Sequence, residues 1–255
     1  MTLLTGIINF LIYKEAKISI YLIYFKRTMK ILILSATLPE VSPLVGKFKL
    51  KNQPDPNFGK YMYKNHSIDV IITGIGSIST AYLLMKFVTA EVYDFVIQVG
   101  IAGSYNKKLH IGSVVQVLNE QFADLGVEDK NKFVTLFEEG ICSSDKLPYS
   151  GGKLINPANF DPEIVKDIPG VSGITVNCVS GSNETISLYR NKFKPDIESM
   201  EGAAFFYICI MENIPFIELR GISNFVEERN RKLWDVKLAV NSSNEALLEI
   251  LAKIY

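Results

Sequence analysis

The chain has 255 residues, 48% apolar and 21% charged, with 27 basic against 27 acidic side chains and a formal net charge of zero. That is enough apolar chain for a sizeable core in one domain, and the charge balance argues against a surface that neutralises nucleic acid phosphates. The cysteines Cys142, Cys178 and Cys209 form no C-x-x-C pair and fit a reducing, cytoplasmic setting, while His66 and His110 stand at no metal-ligand spacing, so no metal is expected.

In chain order, Thr2 to Tyr13 and Ile18 to Phe25 are apolar runs interrupted by Lys14, Glu15 and Lys17. Neither reaches the roughly eighteen residues of a membrane helix, and positive charge after the first run fits a signal peptide poorly. Residues 1–28 read as an N-terminal extension, not native or disordered, before a natural start at Met29. A membrane-associated leader is the alternative. No stable membrane association is expected, and residues 29–255 read as a single domain.

From Met29 the periods alternate. Ile31 to Leu34 and Val70 to Thr73 are short runs typical of strands buried on both faces. Ser77 to Tyr93 carries apolar residues at helical spacing, with Ser77 placed to cap its start. Strands are predicted at Phe95 to Val99, Ser113 to Leu118 and Ile174 to Val179. A helix follows at Asn183 to Phe193, a strand at Asp196 to Glu198 and a helix at Met200 to Asn213. Strand Phe216 to Leu219 and helix Asp235 to Ile254 close the chain. This order gives an α/β sheet. Lys51 to Lys60 and Asp145 to Asn159, rich in Pro, Gly, Asn and Ser, read as surface loops.

Two glycine turns carry competing readings. Thr73-Gly74-Ile75-Gly76 follows a strand and opens a helix, like a dinucleotide fingerprint, but Ser79 stands where the third glycine belongs and no acid ends the next strand. A tight strand-to-helix turn is favoured, whose amides could hold an oxyanion or a sugar hydroxyl. Gly100-Ile101-Ala102-Gly103-Ser104 reads as a second turn, either a plain connection or a place where a flat ligand lies on the backbone.

Two segments, Glu198 to Ala204 and Arg220 to Asn224, place polar side chains where apolar strands stop, as do Pro39-Glu40 and Gly100 to Gly103. Strand ends of this kind carry ligand chemistry in α/β proteins. Glu201 has an ordinary explanation in the helix dipole, yet the apolar run after it makes an idle acid costly, so it should have a partner. Glu40 could be an ordinary first-turn acid and Asn224 a turn residue. Glu227 to Lys232 reads first as a solvated, charge-mixed loop leading to Trp234.

Met29 to Val41 (MKILILSATLPEV), Gly100 to Gly103, Glu198 to Ala204 and Arg220 to Asn224 together resemble the nucleoside phosphorylase and nucleosidase superfamily, nearly the whole chain after Met29. Glu120 to Lys132, Ser199 to Tyr207 and Ile222 to Asn230 are most similar to the futalosine hydrolase family of menaquinone biosynthesis. The resemblance implies a nucleoside phosphorylase-like α/β fold: a central mixed, partly closed β-sheet flanked by helices. It also implies a homo-oligomer and cofactor-free hydrolysis of futalosine to hypoxanthine and dehypoxanthine futalosine.

Hydrolysis of an N-ribosidic bond builds positive charge on the sugar and negative charge on the departing base. By resemblance, Glu40 activates water, Glu201 holds the ribose hydroxyls and Met200 lies beside the sugar. Ile101, Ala102, Gly103 and Arg220 complete the substrate site. The adenine-specific nucleosidases carry aspartate where this chain has Asn224, and an amide matches the two acceptors of a 6-oxopurine edge better than a carboxylate does. Asn224 therefore predicts hypoxanthine over adenine. Gln98-Val99 precedes Gly100 where phosphorylases place a phosphate-binding arginine, which favours water as nucleophile. Arg229 or Arg231 could pair with the substrate carboxylate while Phe225 or Trp234 covers its ring. The alternatives are a purine nucleoside phosphorylase, a methylthioadenosine/S-adenosylhomocysteine-type nucleosidase and a non-catalytic nucleoside-binding module.

Overall fold

The computed structural model describes residues 28–130 and 132–254. The expectations for the N-terminal extension fall on residues outside these. Ile31 to Leu34 form the buried centre of β1 (Lys30–Ser35), which runs parallel to β4 (His66–Ile72) on one side and to β5 (Phe95–Ser104) on the other. Apolar side chains on both faces suit a strand covered by helices on each side.

Beyond β4 the sheet extends through β3 (Phe58–Tyr63) to the edge strand β2 (Lys49–Asp55). In the other direction it curls. β5 pairs with β12 (Ile197–Ser199), β12 with β11 (Gly170–Thr175), β11 with β6 (Val114–Glu120), and β13 (Phe216–Phe225) pairs with both β6 and β5. These five strands form a closed ring of mixed direction, so the predicted mixed, partly closed sheet is what the chain adopts. β10 (Lys153–Ile155) and β9 (Tyr149–Ser150) continue outward from β6, and β7 (Gly126–Asp129) with β8 (Lys132–Thr135) forms a separate hairpin.

Helices cover both faces. Alternation along β13 sends Ile217 and Leu219 into a core with Val41 and Leu44 of α1 (Leu38–Val45) and Leu247, Ile250 and Leu251 of the closing helix (Val236–Lys253). Its other face sends Phe216 and Ile222 toward Leu84 of α2 (Ser77–Ala90) and Phe205 and Phe206 of the helix at Gly202–Met211. Phe216 meets Phe205 edge-on at 5.4 Å and Phe206 at 4.8 Å, the geometry that aromatic quadrupoles favour. With α3 at Asn183–Phe193, these two helices are α4 (Gly202–Met211) and α5 (Val236–Lys253).

Several boundaries differ from the sequence reading. Lys51 to Lys60 is no loop, since it spans the β2–β3 hairpin; β2 is exposed along its whole length, so backbone pairing forms it without any burial pattern, and Pro54 is tolerated at an edge. Asp145 to Asn159 likewise contains β9 and β10. β5 and β13 do not stop at Val99 and Leu219. They continue to Ser104 and Phe225, so Gly100 to Ser104 is strand, not a turn, and Arg220 to Asn224 lies within a strand. Helix α2 ends at Ala90, and its cap position is Gly76 (φ 96°) with no side-chain cap, so Ser77 is not the cap.

Candidate active site

The long strands β5 and β13 run side by side in parallel, and their C-terminal halves form the floor of a cavity of about 340 Å³. Its lining brings together Glu40, Ile101, Ala102, Gly103, Met200, Glu201, Arg220, Asn224 and Arg229. Phe225 and Arg231 are not among the lining residues, which include Val226 and Trp234 instead. Alternation along β13 turns Phe225 away, where the Lys107 ammonium sits 4.0 Å from its ring centre. A larger cavity, about 580 Å³, lies by Met29 and Asp94 at the opposite, N-terminal end of β1 and β5, and ligands of open α/β sheets bind at the carboxyl ends.

Arg220 organises the floor. Buried to 1% exposure, its guanidinium donates from Nε to Glu218 Oε1 (2.7 Å) and from Nη1 to Glu201 Oε2 and to the Ile101 carbonyl (both 3.4 Å). Burial works against its charge, but Glu218 and Glu201 outweigh that and keep it firmly protonated. Breaking such a buried pair leaves an uncompensated charge, at about 3 to 5 kcal/mol. A Cβ on Gly100 would lie 2.6 Å from Arg220 Nη1 and 2.7 Å from Glu40 Oε2. Gly100 is small because two side chains cross it, not because the chain turns there.

Glu201 is the cap residue of α4, yet its side chain does not cap that helix. Its Oε1 instead accepts from the Gly76 amide at the start of α2 (3.1 Å), and its Oε2 faces Arg220. The positive-φ turn Gly74 (φ 81°) to Gly76 thus holds an oxyanion, as its amides suggested, and that oxyanion is the protein's own. Glu40 stands in the first turn of α1, where Thr37 donates its hydroxyl to Oε1 (2.9 Å). Burial raises the Glu40 carboxyl above its ordinary range, and Arg220 opposes that rise. A partly dry carboxylate of this kind is a competent base near neutral pH.

Asn224 follows a bulge. The β13–β5 register shifts between Ile222 and Asn224, leaving Ser223 as the extra residue. Ser223 donates its hydroxyl to Asn224 Oδ1 (2.8 Å), and Asn224 Nδ2 donates to the Phe225 carbonyl (2.9 Å). One amide hydrogen and one lone pair remain for a ligand. A Cβ on Gly103 would lie 3.2 Å from Asn224 Nδ2, so that glycine makes room for the amide.

The rim comes from two loops. Glu198 accepts from the Ser180 amide (2.8 Å), the Ser180 hydroxyl (2.6 Å) and Tyr105 (2.9 Å), fastening the Val179–Ser180 wall to β12. On the other side the Arg229 guanidinium lies 5.5 Å from the Trp234 ring centre, and the Asp235 amide donates to the Ser223 carbonyl (2.9 Å), which ties this loop to the bulge. Among the described residues, no group of three or more His, Cys, Asp or Glu side chains could hold a metal ion, and no helix is long and apolar enough to cross a membrane.

Sequence reasoning missed Glu218, Thr37, Ser223, Ser180 and the role of Glu198. An acid inside the apolar run Phe216 to Leu219 was the available signal for Glu218. Gln98, read as the position of a missing phosphate arginine, is buried and does not line the cavity.

The profile describing the phosphorylase superfamily matches residues 30–255. A futalosine hydrolase of Acidothermus cellulolyticus is 26% identical over 206 residues, 76% of this chain and 79% of that protein. A 5'-methylthioadenosine/S-adenosylhomocysteine nucleosidase of Maridesulfovibrio salexigens is 30% identical over 215 residues, 78% of this chain and 87% of that protein. Among solved structures, a native futalosine hydrolase of Helicobacter pylori superposes with a TM-score of 0.76 at 20% identity, covering 89% of this chain and 99% of that one.

Proposed function

The chain belongs to the phosphorylase superfamily, and from that premise we propose that it is a nucleoside hydrolase that cleaves the N-ribosidic bond of futalosine, releasing hypoxanthine and dehypoxanthine futalosine in menaquinone biosynthesis. The observation that carries the reading is one cavity of about 340 Å³ that brings Glu40 and Glu201 together with a buried arginine and the Asn224 amide.

In this mechanism Glu40 takes a proton from water as the oxygen attacks the anomeric carbon. The bond to the purine breaks, and its electron pair leaves with the base. Glu201, held by Gly76 and Arg220, keeps its charge beside the ribose hydroxyls and stabilises the cationic sugar. Asn224 donates its free N–H to O6 and accepts from a protonated N7, which an aspartate could not do without facing O6 as an acceptor. An amide gives a hydrogen bond and no proton, so the base draws its proton from solvent. Arg229, resting on Trp234 at the mouth, is placed to pair with the carboxylate of the aryl tail.

A methylthioadenosine-type nucleosidase is the second reading, favoured by the 30% identity to the M. salexigens enzyme and opposed by Asn224. Incubation with futalosine, inosine and methylthioadenosine, each with and without phosphate, separates the readings. The expected result is hypoxanthine from futalosine, unaffected by phosphate. Release of adenine from methylthioadenosine with the higher kcat/KM, or of ribose 1-phosphate products, would overturn it.

A further inference from the structure

Beneath the floor lie two acids that this reaction does not touch. Glu120 ends β6 and Glu218 sits in β13, and both are fully buried. Thr175 accepts from the Ala203 amide (2.7 Å) and commits its hydroxyl proton to Glu120 Oε2 (2.9 Å). Glu218 Oε1 holds Arg220. The other two oxygens, Glu120 Oε1 and Glu218 Oε2, have no hydrogen-bond partner among the described residues.

Two glycines create the room for this pair. A Cβ on Gly202 would collide with Glu120 Oε1 and lie 2.7 Å from Glu218 Oε1, and a Cβ on Gly173 would also collide with Glu120 Oε1. Both carboxyls therefore crowd the space that a side chain at position 202 would fill. Two carboxylates so close in a dry site do not both ionise. Of the two, only Glu218 has a cation in hydrogen-bond contact among the described residues, so the proton belongs on Glu120. Burial and the neighbouring Glu218 push the Glu120 carboxyl well above its ordinary range; burial raises Glu218 too, and Arg220 works against the rise at both, adding a hydrogen bond only at Glu218.

We propose that Glu120 is a permanently neutral acid that lets Glu218 stay ionised against Arg220, and that Glu218 is a positioning residue that draws the Arg220 charge away from Glu40 and so preserves its basicity. The proposal rests on the reading of Glu40 as the base. The ionisable groups facing this cluster are Glu40 from α1, Glu201 at the head of α4, the Cys209 thiol within α4, Glu218 and Arg220 from β13 and Glu120 from β6. Without the Glu218 charge, Arg220 would turn its full charge on Glu40 and Glu201. Glu40 would then be easier to ionise and a weaker base.

The test compares Glu218→Gln and Glu120→Gln, both of which keep the side-chain shape. The pH profile of kcat/KM is measured on whichever nucleoside the wild-type protein cleaves. Glu218→Gln is expected to move the acid limb down by about one pH unit and to lower kcat about 10-fold or more, with KM changed less than about 3-fold. Glu120→Gln, which mimics a protonated acid, is expected to leave the limb in place. Infrared spectra at neutral pH, read without substrate, should show a protonated-carboxyl band in the wild type that Glu120→Gln removes. An unmoved limb in Glu218→Gln, an equal shift in Glu120→Gln, or an infrared band that Glu120→Gln does not remove would overturn the proposal. A wild-type protein that cleaves no nucleoside would sink the hydrolase reading instead, with the infrared band still deciding where the proton lies.

Discussion

At the cavity floor Glu201 and Arg220, with Glu218 beneath them, are withdrawn from water and Glu40 is half-buried, whereas at the rim and on the loops beside it Lys107, Glu227, Glu228 and Arg229 are exposed. Both regions are densely charged, yet the same charge does different work in each. Floor charges sit on paired strands and helix starts, so their positions are fixed and their mutual fields are weakly screened. Rim charges sit on loops, screened by solvent and salt. On the proposed function, chemistry belongs to the floor and recognition of the substrate tail to the rim.

The largest effects are expected at the floor. Glu201→Gln and Glu40→Gln are each expected to lower kcat about 100-fold or more, the usual scale for a positioned acid or base. Steady-state kinetics on folded variants checks this, and near-wild-type rates would end the catalytic assignment. Because burial raises the Glu40 carboxyl, wild-type kcat/KM should fall with decreasing pH above the range where exposed carboxylates titrate. A limb at the ordinary carboxylate value would place the base elsewhere.

Asn224 stands between the two regions, and Asn224→Asp should reduce kcat/KM for the 6-oxopurine substrate by about 1 to 3 kcal/mol relative to an adenine nucleoside. Competition between the two nucleosides measures this ratio. At the rim, Arg229→Ala should raise KM for futalosine several-fold, the scale of one partly exposed charged contact, and leave inosine turnover unchanged. Equal effects on both substrates would show that Arg229 supports the loop and not the tail. Smallest of all, Lys107→Ala, which loses the exposed Glu227 pair (3.0 Å) and the Phe225 ring contact, should cost no more than about 1 kcal/mol in denaturant stability.

The same contrast explains what was legible in the sequence. β1, α3 and α5 are legible from their residue patterns, and the structure adds caps that the sequence reading does not use, with Ser182 and Asp235 each accepting from the first turn. The β2–β3 hairpin left no such trace, because its outer strand buries nothing. β5 and β13 were read short for a different reason. Glycines 100 and 103 and the polar residues Arg220 to Asn224 resemble chain breaks, but they are places where strands make room for side chains of the site. Glu40, Glu201 and Asn224 were identifiable by their positions in short motifs, and they converge. An acid inside the apolar run Phe216 to Leu219 marks Glu218 as unusual, but neither it nor Glu120 gives a hint of which neighbour it will meet once the ring closes.

The ring itself has a consequence for synthesis of the protein. Four of its five strands leave the ribosome before β13, and the arginine that compensates the buried acids arrives only with that last strand. Until Arg220 is in place, Glu201 has no cation to meet it away from water, so the nascent chain should keep this region open and collapse it late. A nascent chain halted before Phe216 should accordingly lack hydrolytic capacity, however well its first parallel strands have assembled.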